Sequence, residues 1–244
     1  MSIAIILAAG KGTRMRSALP KPIVPFMGKP IVQHLIESFH KAEVKDVYLI
    51  VGHGAEEVKE KIGWGVHYIY QAEQGGTAHA VKQVPDDIIN GTENVFVFVG
   101  DSPLITADTI QKLEEHHIKT GASCTFLTAI FPIDLPYARV IRNEQKELIA
   151  CIEEKNATPE QLKVHELLSS HFIFKGDDLH KYLNEVKPDK GNGELYLTDM
   201  IPILLSKHLK VETLQIEDYR ELVGLNTPED IAWAEEAIKK KTKL

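Results

Sequence analysis

Four basic side chains lie close together near the start of the chain, in a segment that also carries two glycines. Leu7–Met15 reads LAAGKGTRM, and Leu19–Pro22, shortly after it, reads LPKP. Gly10 and Gly12 allow backbone N–H groups to approach a ligand closely, and cations form charge-assisted hydrogen bonds with anions. The segment therefore predicts a phosphate-binding loop, with a tight solvated turn as the alternative. Its cations are Lys11, Arg14, Arg16 and Lys21.

Two common nucleotide-binding motifs do not fit this loop. A dinucleotide fingerprint requires a third glycine where the chain has Met15. A Walker loop requires a second glycine five residues after the first, followed by lysine and a hydroxyl residue. Counted from Gly10, that second glycine falls at Met15, so this motif is excluded as well. The loop therefore indicates anion binding of another type.

Asp101 follows the apolar run Val95–Val99, in the sequence VGDSPLI. A carboxylate at the carboxyl end of a buried strand lies at the edge of the sheet where α/β proteins bind their ligands. Carboxylate oxygens suit Mg²⁺, which usually takes one or two protein ligands together with phosphates and waters. Asp101 is therefore a candidate magnesium ligand, and a turn or helix-capping aspartate is the alternative.

The glycine-rich loop and the PKP sequence resemble the signature of nucleotidyltransferases that join a nucleoside triphosphate to a phosphorylated partner. Gln71–Ala80, QAEQGGTAHA, is similar to the base-binding segment of bacterial N-acetylglucosamine-1-phosphate uridylyltransferases. The resemblance extends over about residues 3–235, with the motifs in the same order. It implies Mg²⁺-dependent transfer of a nucleotidyl group, with UTP expected, to a sugar-1-phosphate: N-acetylglucosamine-1-phosphate or a related hexose-1-phosphate.

The resemblance also implies roles for individual residues on the nucleotide side. Arg14 would neutralise the β- and γ-phosphates, and Lys21 would bridge the two reacting phosphates. Asp101 would bind Mg²⁺ together with Asn226, which lies in Val223–Thr227; read alone, that asparagine is a turn residue. Thr77 is also placed to cap the helix that follows it. The expected nucleotide-binding residues are Leu7, Ala8, Ala9, Gly10, Gly12, Gln71, Gly76 and Thr77.

The sugar side of the resemblance contains both matches and departures. IEEKNAT, from Ile152, and GELYLTD, from Gly193, match segments that lie near the sugar in the family. The family has glycine at the position of Ala138, asparagine at that of Ser169 and tyrosine at that of Val99. These departures leave the identity of the sugar undetermined. The residues expected to contact it are Ala138, Glu153, Ser169, Tyr196 and Thr198.

These residues need a fold that brings strand ends together, and the hydrophobic pattern predicts one. Strands and helices alternate in the first half, which predicts an α/β, Rossmann-like, mostly parallel sheet with helices on both faces. The predicted strands are Ser2–Leu7, Val47–Val51, Val66–Tyr70, Val95–Val99, Cys124–Ile130, Ala138–Arg142, Leu148–Glu153 and Leu168–Phe174. The predicted helices are one opened by Pro30, then Ala55–Ile62, Thr77–Val84, Thr106–Lys119, Asp177–Asn184, Thr198–Ser206 and a last one from Thr227 to about Lys240.

We expect residues 1–244 to form one nucleotidyltransferase domain. Residues 1–120 would form its nucleotide-binding half and residues 121–244 its sugar-binding half. The chain has none of the hexapeptide repeats of the β-helix found in the bifunctional bacterial enzymes, so we expect their acetyltransferase activity to be absent. His116 and His117 are adjacent on a predicted helix and point in different directions, which favours a solvated face over a metal site.

Composition excludes several other classes of protein. The 28 basic and 35 acidic residues give a net charge of −7, which argues against nucleic-acid binding. The chain has no apolar run near the roughly 18 residues that a membrane span requires. The 2 cysteines fit a reducing compartment, so we expect a cytoplasmic protein, monomeric or dimeric.

Two other functions stay open. The departures at Ala138 and Ser169 fit a regulatory protein that binds nucleotides or sugar nucleotides without turnover. Transfer to a non-sugar phosphate, such as a phosphorylated alcohol, is the other alternative.

Overall fold

The apolar runs of the chain form the buried strands of a sheet in this computed structural model, which describes residues 2–241 and the side chains of residues 2–239. Strands and helices alternate over the first half, as the sequence predicts. The strands are β1 Ser2–Ala8, β2 Pro25–Phe26, β3 Lys29–Pro30, β4 Asp46–Val51, β5 His67–Tyr70, β6 Asn94–Val99, β7 Cys124–Ile130, β8 Ala138–Arg142, β9 Leu148–Ile152, β10 Glu166–Leu168, β11 His171–Lys175 and β12 Val211–Gln215. β2 and β3 pair separately as a short hairpin.

The helices connect these strands and cover the sheet. No helix among residues 2–241 is long and apolar enough to cross a membrane. The helices are α1 Ile31–Lys41, α2 Ala55–Ile62, α3 Thr77–Val81, α4 Asp86–Ile89, α5 Ala107–Thr120, α6 Pro159–Leu162, α7 Gly176–Tyr182, α8 Met200–Ser206 and α9 Pro228–Lys241. α9 starts as predicted, because the hydroxyl of Thr227 accepts a hydrogen bond from the N–H of Asp230 at 3.1 Å.

The central sheet has the strand order β5-β4-β1-β6-β11-β7, and β12 pairs with the other edge of β7. β5, β4, β1 and β6 are parallel, and β11 is antiparallel to both of its neighbours. Alternate residues of β1 pack into different cores: Ile6 lies with Phe39 of α1, whereas Ile5 lies with Val81 of α3. The predicted α/β, mostly parallel sheet with helices on both faces is therefore confirmed.

The predicted strand Leu168–Phe174 is wrong as a single element, because the chain breaks it at Ser169 and Ser170. Ser170 adopts a left-handed conformation with φ of +64°, which a regular strand does not allow. The break separates β10, which pairs with β7 and β8, from β11, which lies between β6 and β7. A three-stranded arm, β10-β8-β9, consequently branches from the central sheet beside the end of β6.

Other elements of the sequence prediction differ at their ends. The helix predicted at Thr77–Val84 ends at Val81, and the one predicted at Thr198–Ser206 starts at Met200, after a 3₁₀ turn at Leu197–Asp199. The sequence did not predict β12. Val211–Gln215 is only half-buried and has no continuous apolar run, so the usual signal of a buried strand is missing.

His117 on α5 is buried, so the solvated face predicted for this histidine is wrong. Its side chain is 1% exposed, and its Nδ1 lies 2.9 Å from the hydroxyl of Thr125 on β7. Burial lowers the pKa of His117 to about 4, and Lys175 acts in the same direction. The imidazole is therefore neutral in the folded protein at neutral pH.

This burial predicts a loss of stability in mild acid. The unfolded chain binds a proton at His117 below about pH 6.5, while the folded protein resists protonation until about pH 4, so stability falls between these values. At pH 5 the cost is about 2 kcal/mol relative to neutral pH. The free energy of unfolding is measured in urea at pH 7 and at pH 5. We expect its decrease between these two pH values to be about 2 kcal/mol smaller in His117→Gln than in the wild type.

The exposed His40 provides the matched control. His40→Gln should retain the wild-type difference between the two pH values. Equal pH dependence in His117→Gln and the wild type would contradict the assignment of this loss to His117.

Candidate active site

Two adjoining pockets open at the carboxyl ends of the central strands. β1 lies in the middle of the parallel set, with β4 on one side and β6 on the other. In open α/β sheets, a crevice forms where successive connections leave a strand in opposite directions, and ligands bind there. Both pockets are lined by Val99 and Asp101, so β6 forms the boundary between them.

The first pocket brings together the end of β1, the loop after β5 and two residues of a loop before α8, Glu194 and Tyr196. It contains seven of the eight predicted nucleotide-binding residues and the predicted catalytic Lys21. Gly12 is the exception and lies behind this lysine. The lining residues are Leu7, Ala8, Ala9, Gly10, Lys21, Pro22, Gln71, Gln74, Gly76, Thr77, Ala80, Val99, Gly100, Asp101, Glu194 and Tyr196.

The loop between β5 and α3 is fixed by contacts that its sequence does not reveal. Gln71 is 3% exposed, and its Nε2 lies 2.8 Å from Nδ1 of His79. Gly76 has φ of +101°, and a Cβ there would lie 2.5 Å from the carbonyl oxygen of Leu195, so this position requires glycine. The predicted capping role of Thr77 is wrong: Gly76 is the N-cap, and the hydroxyl of Thr77 accepts a hydrogen bond from the N–H of Leu197 at 2.8 Å.

The second pocket lies between the β10-β8-β9 arm and the segment before α9. It contains three of the predicted sugar-binding residues, Ala138, Glu153 and Ser169. Tyr196 instead lines the first pocket, and Thr198 is buried against Glu153. The lining residues of the second pocket are Arg14, Val99, Asp101, Ser102, Leu135, Pro136, Tyr137, Ala138, Glu153, Leu168, Ser169, Ser170, Val223, Gly224, Asn226, Thr227 and Asp230.

Two polar side chains of the second pocket are held by buried partners. The hydroxyl of Thr198 donates a hydrogen bond of 2.5 Å to Oε1 of Glu153, and burial raises the pKa of this carboxyl group. The hydroxyl of Ser169 lies 2.9 Å from Nδ1 of His171. Burial lowers the pKa of His171 to about 3, so this imidazole is neutral and orients Ser169 without adding charge.

The segment Glu194–Thr198, which we call the bridging loop, contacts both pockets. The N–H of Leu195 donates to the carbonyl of Gly75 at 2.8 Å, beside the first pocket. Nζ of Lys155 lies 3.1 Å from the hydroxyl of Tyr196, and it also forms an ion pair of 2.8 Å with Asp189. Lys155 lies just after β9, so the bridging loop connects the arm to the loop between β5 and α3, residues 71–76, which we call the nucleotide loop for the nucleotide-binding residues predicted in it.

A cluster of cations and oxygens lies where the two pockets meet. Nζ of Lys21 lies 2.5 Å from Oδ2 of Asp101 and 2.7 Å from Oδ1 of Asn226. Nη2 of Arg14 donates to the same Asn226 oxygen at 3.0 Å. The structure therefore brings together all four residues predicted to be catalytic or metal-binding, although residues 14 and 226 are far apart in the chain.

Backbone contacts hold the side-chain oxygens of Asp101 and Asn226 at this junction. The N–H of Leu225 donates to the carbonyl of Asp101 at 2.8 Å, which joins the segment before α9 to the end of β6. A Cβ on Gly224 would lie 2.9 Å from Oδ1 of Asp101, so glycine permits this close approach. Oδ2 of Asp230 accepts hydrogen bonds of 2.8 Å from the N–H groups of Asn226 and Thr227.

The oxygen atoms at this junction fit a magnesium ion. Oδ2 of Asp101 and Oδ1 of Asn226 converge on one point, and that point already holds a positive charge, the ammonium of Lys21. Among the described residues, no group of three or more histidine, cysteine, aspartate or glutamate side chains is placed to bind a metal ion. A carboxylate and an amide would leave most of the coordination to phosphates and waters, as Mg²⁺ prefers.

Gly12 supports the lysine of the cluster. Gly12 has φ of +59°, and a Cβ there would lie 2.5 Å from Cβ of Lys21. Lys21 starts a 3₁₀ turn and is flanked by Pro20 and Pro22, which restrict the backbone on both sides. The glycine-rich loop therefore packs against the stem of this lysine as well as lining the first pocket.

The sequence analysis did not identify Tyr137 and Asp230 as functional residues. The hydroxyl of Tyr137 accepts a hydrogen bond from the N–H of Gly224 at 2.8 Å, and burial raises the pKa of the phenol. Asp230 lies in the first turn of α9 and also holds the backbone of Asn226, four residues before it. The contact of Tyr137 has no local sequence signal, because residues 137 and 224 are brought together only by the fold.

A mostly parallel α/β sheet with a basic, glycine-rich loop and two converging side-chain oxygens at the ends of its strands is typical of a class of nucleotide-binding proteins. The comparison with protein families identifies the particular family. The chain belongs to the MobA-like NTP transferase domain family, whose model matches residues 4–165.

Curated relatives match along almost the whole chain. The bifunctional protein GlmU of Staphylococcus haemolyticus is 41% identical over 241 residues, which cover 99% of this chain and 53% of that protein. GlmU of Staphylococcus carnosus is 37% identical over 238 residues, covering 98% of this chain and 52% of the relative. The chain thus spans about half the length of the curated relatives it matches.

Solved structures share the fold. A Bacillus anthracis protein assigned as a glucose-1-phosphate thymidylyltransferase, in complex with sucrose, superposes with a TM-score of 0.79 at 19% identity, covering 97% of this chain and 95% of that one. A UDP-glucose pyrophosphorylase complexed with UDP-glucose gives a TM-score of 0.72 at 19% identity, covering 99% of both chains. At this identity the likeness supports the fold alone.

The hydrogen bond between Tyr137 and Gly224 predicts that the phenolic hydroxyl stabilises the second pocket. Tyr137→Phe leaves a partly buried backbone N–H without its acceptor beside Asp101, which should cost about 1–2 kcal/mol in urea unfolding. Turnover should fall as well, since Gly224 and Asn226 lie in the same segment. Tyr70→Phe, at a tyrosine that is 59% exposed, is the control and should behave as the wild type. Wild-type stability in Tyr137→Phe would contradict this role.

Proposed function

We propose that the chain is a sugar-1-phosphate nucleotidyltransferase that uses a nucleoside triphosphate, with UTP as the expected substrate. The observation that carries the proposal is the cluster of Arg14, Lys21, Asp101 and Asn226 at the junction of two pockets. Two cations and two metal-binding oxygens at one point suit a reaction between two phosphates. Membership of the NTP transferase family supports the same reaction class.

Each pocket is assigned to one substrate. The first pocket takes the nucleotide, because backbone N–H groups of the glycine-rich loop and the polar loop after β5 lie there. The second takes the sugar-1-phosphate, N-acetylglucosamine-1-phosphate or a related hexose-1-phosphate, with Glu153 and Ser169 supplying polar atoms to sugar hydroxyls. Accordingly, residues 1–120 contribute most of the nucleotide side and residues 121–244 most of the sugar side of one nucleotidyltransferase domain.

The reaction is an in-line displacement at the α-phosphorus. An oxygen of the sugar phosphate forms the new bond, the bond to the bridging β-phosphate oxygen breaks, and pyrophosphate leaves with the electron pair. Lys21 stabilises the charge that develops between the two phosphates. Arg14 lines the second pocket and reaches the junction through Asn226, and from there it neutralises the leaving group. No covalent enzyme intermediate is required, so catalysis consists of positioning and charge stabilisation.

Asp101 and Asn226 would hold Mg²⁺, since their oxygens converge at the junction. When bound there, the ion reduces the repulsion between the two anionic substrates. The protein contributes the placement of the two oxygens, through Gly224 beside the carboxylate and Asp230 on the backbone of Asn226.

A substrate panel tests the proposed function. Pyrophosphate release is measured with each common nucleoside triphosphate against several sugar-1-phosphates and phosphorylated alcohols, with and without Mg²⁺. We expect release with UTP and a hexose-1-phosphate, only when Mg²⁺ is present. Release with phosphorylated alcohols alone would assign a non-sugar acceptor. No release with any pair, together with measurable nucleotide binding, would assign a binding or regulatory role.

Removal of the Lys21 ammonium should impair turnover strongly. We expect Lys21→Ala to lower kcat on the order of 10²-fold or more, as the loss of one preorganised charge donor does. Lys163→Ala is the control, since the side chain of Lys163 is exposed and pairs with Glu160 on the surface. Initial rates of pyrophosphate release measure both variants. Activity near the wild-type value in Lys21→Ala would reject its catalytic role.

Removal of the Asp101 carboxylate should abolish Mg²⁺-dependent turnover, because one of the two proposed metal-binding side chains is lost. Asp108→Ala removes an exposed carboxylate that pairs with Lys112, and serves as the control. Rates are measured as Mg²⁺ is titrated from zero. An unchanged dependence on Mg²⁺ in Asp101→Ala would reject Asp101 as the ligand.

A further inference from the structure

The ammonium of Lys21 occupies the point where the two proposed metal-binding oxygens converge. Its Nζ lies 2.5 Å from Asp101 and 2.7 Å from Asn226, in an ion pair whose side chains are only 15% and 22% exposed for Lys21 and Asp101. Arg14 donates to the same Asn226 oxygen at 3.0 Å. Both oxygens are therefore satisfied by protein cations, and a divalent cation cannot bind them until the ammonium has left.

The backbone and Cβ of Lys21 are held in place, and its freedom to move lies in the rest of the side chain. Its backbone is restricted by the flanking prolines and by Gly12, which packs against Cβ. The four-carbon stem of a lysine is flexible, and its ammonium acts as a compact point charge with three donors. Lys21 also lines the first pocket, so a rotation of the stem carries the charge from the oxygens toward the nucleotide side.

We propose that Lys21 is the resident cation of the metal site in the free protein. Its ammonium holds Asp101 and Asn226 together until a divalent cation replaces it, and the released ammonium then turns toward the triphosphate in the first pocket. The identity of the two ligands rests on the proposed function, but the inference itself concerns binding and requires no turnover.

This exchange couples the two binding events. An ammonium and a divalent cation repel each other at a few ångströms and cannot share the same two oxygens. A triphosphate that attracts Lys21 therefore uncovers the oxygens for the metal, and a metal that displaces Lys21 makes its charge available to the triphosphate. By linkage, each ligand strengthens binding of the other by the same factor.

Metal binding to the free protein tests the exchange directly. Mn²⁺ serves as the paramagnetic substitute for Mg²⁺, because it also prefers oxygen ligands. Binding is measured by electron paramagnetic resonance on the full chain, without nucleotide, for the wild type and Lys21→Met. We expect Lys21→Met to bind Mn²⁺ at least about tenfold more tightly, which corresponds to about 1.4 kcal/mol.

A control that removes a different positive charge separates two effects of Lys21. One is direct occupation of the two oxygens, and the other is the general repulsion of Mn²⁺ by a nearby positive charge. Arg16 lies in the same basic segment and is 69% exposed, and it contacts Glu229 rather than the cluster. Arg16→Met removes one positive charge near the site without freeing either oxygen. At physiological salt the Debye length is about 8 Å, so exposed charges farther apart than this are largely screened. The Mn²⁺ affinity of Arg16→Met should therefore differ from that of the wild type by less than about threefold.

Thermal unfolding gives a second readout and checks that each variant folds. A ligand that binds only the folded state stabilises it by RT ln(1 + [L]/Kd), so at the same Mn²⁺ concentration the Tm of Lys21→Met should rise more than that of the wild type. Lys21→Gln, a neutral polar variant, should behave in the same way. Equal Mn²⁺ affinity in the wild type and both variants, no binding to any of them, or an equal gain in Arg16→Met would overturn the inference.

The two proposals fail in different experiments. Tighter Mn²⁺ binding by Lys21→Met, without pyrophosphate release by the wild type on any substrate, would support the exchange and reject the proposed activity. Normal turnover by the wild type with unchanged Mn²⁺ binding by the variants would support the activity and overturn the exchange.

Discussion

The ion pair between Lys21 and Asp101 fixes the relation between the parts of this molecule that hold its pockets. Its lysine comes from the PKP turn that follows the glycine-rich loop, its aspartate from the end of β6, and Asn226, bound to the same ammonium, from the segment before α9. Three chain segments thus meet at one partly buried point, where the ammonium of Lys21 pairs with a carboxylate and a neutral amide oxygen. A partly buried carboxylate without a partner is costly, so in the absence of metal the lysine is the group that permits Asp101 to remain there.

The bridging loop extends this arrangement from one pocket to the other. Its backbone is bonded to the nucleotide loop through Leu195, and its Tyr196 is bonded to Lys155 on the arm. The sequence predicts a nucleotide-binding half at residues 1–120 and a sugar-binding half at residues 121–244, yet Asn226 and Tyr196, from the second half, lie at the junction and in the first pocket. Both pockets therefore depend on packing between residues 1–120 and residues 121–239.

The parts of the fold that the sequence predicts are those with a strong local signal. Buried apolar runs predicted β1, β4, β6 and β7, and the position of Asp101 after β6 predicted its place at the sheet edge. The resemblance placed Asn226 beside it. In contrast, β12 is half-buried, the break at Ser170 depends on two strands that pair with different neighbours, and His117 is buried by β7. Each of these features is decided by tertiary contacts, which leave no periodic signal in a single sequence.

Two of the departures, Ala138 and Ser169, lie away from the cluster of charges at the junction. A Cβ at Gly12, Gly76 or Gly224 would lie less than 3 Å from Lys21, the bridging loop or Asp101, so substitution there displaces a group of the junction or the nucleotide loop. Ala138 and Ser169 instead form part of the wall of the second pocket, and Ser169 is satisfied by a neutral histidine behind it. Replacement of such a wall residue would alter the shape of the second pocket without moving a charge at the junction. Under the proposed function, the same scaffold would keep its phosphate chemistry while its acceptor changes.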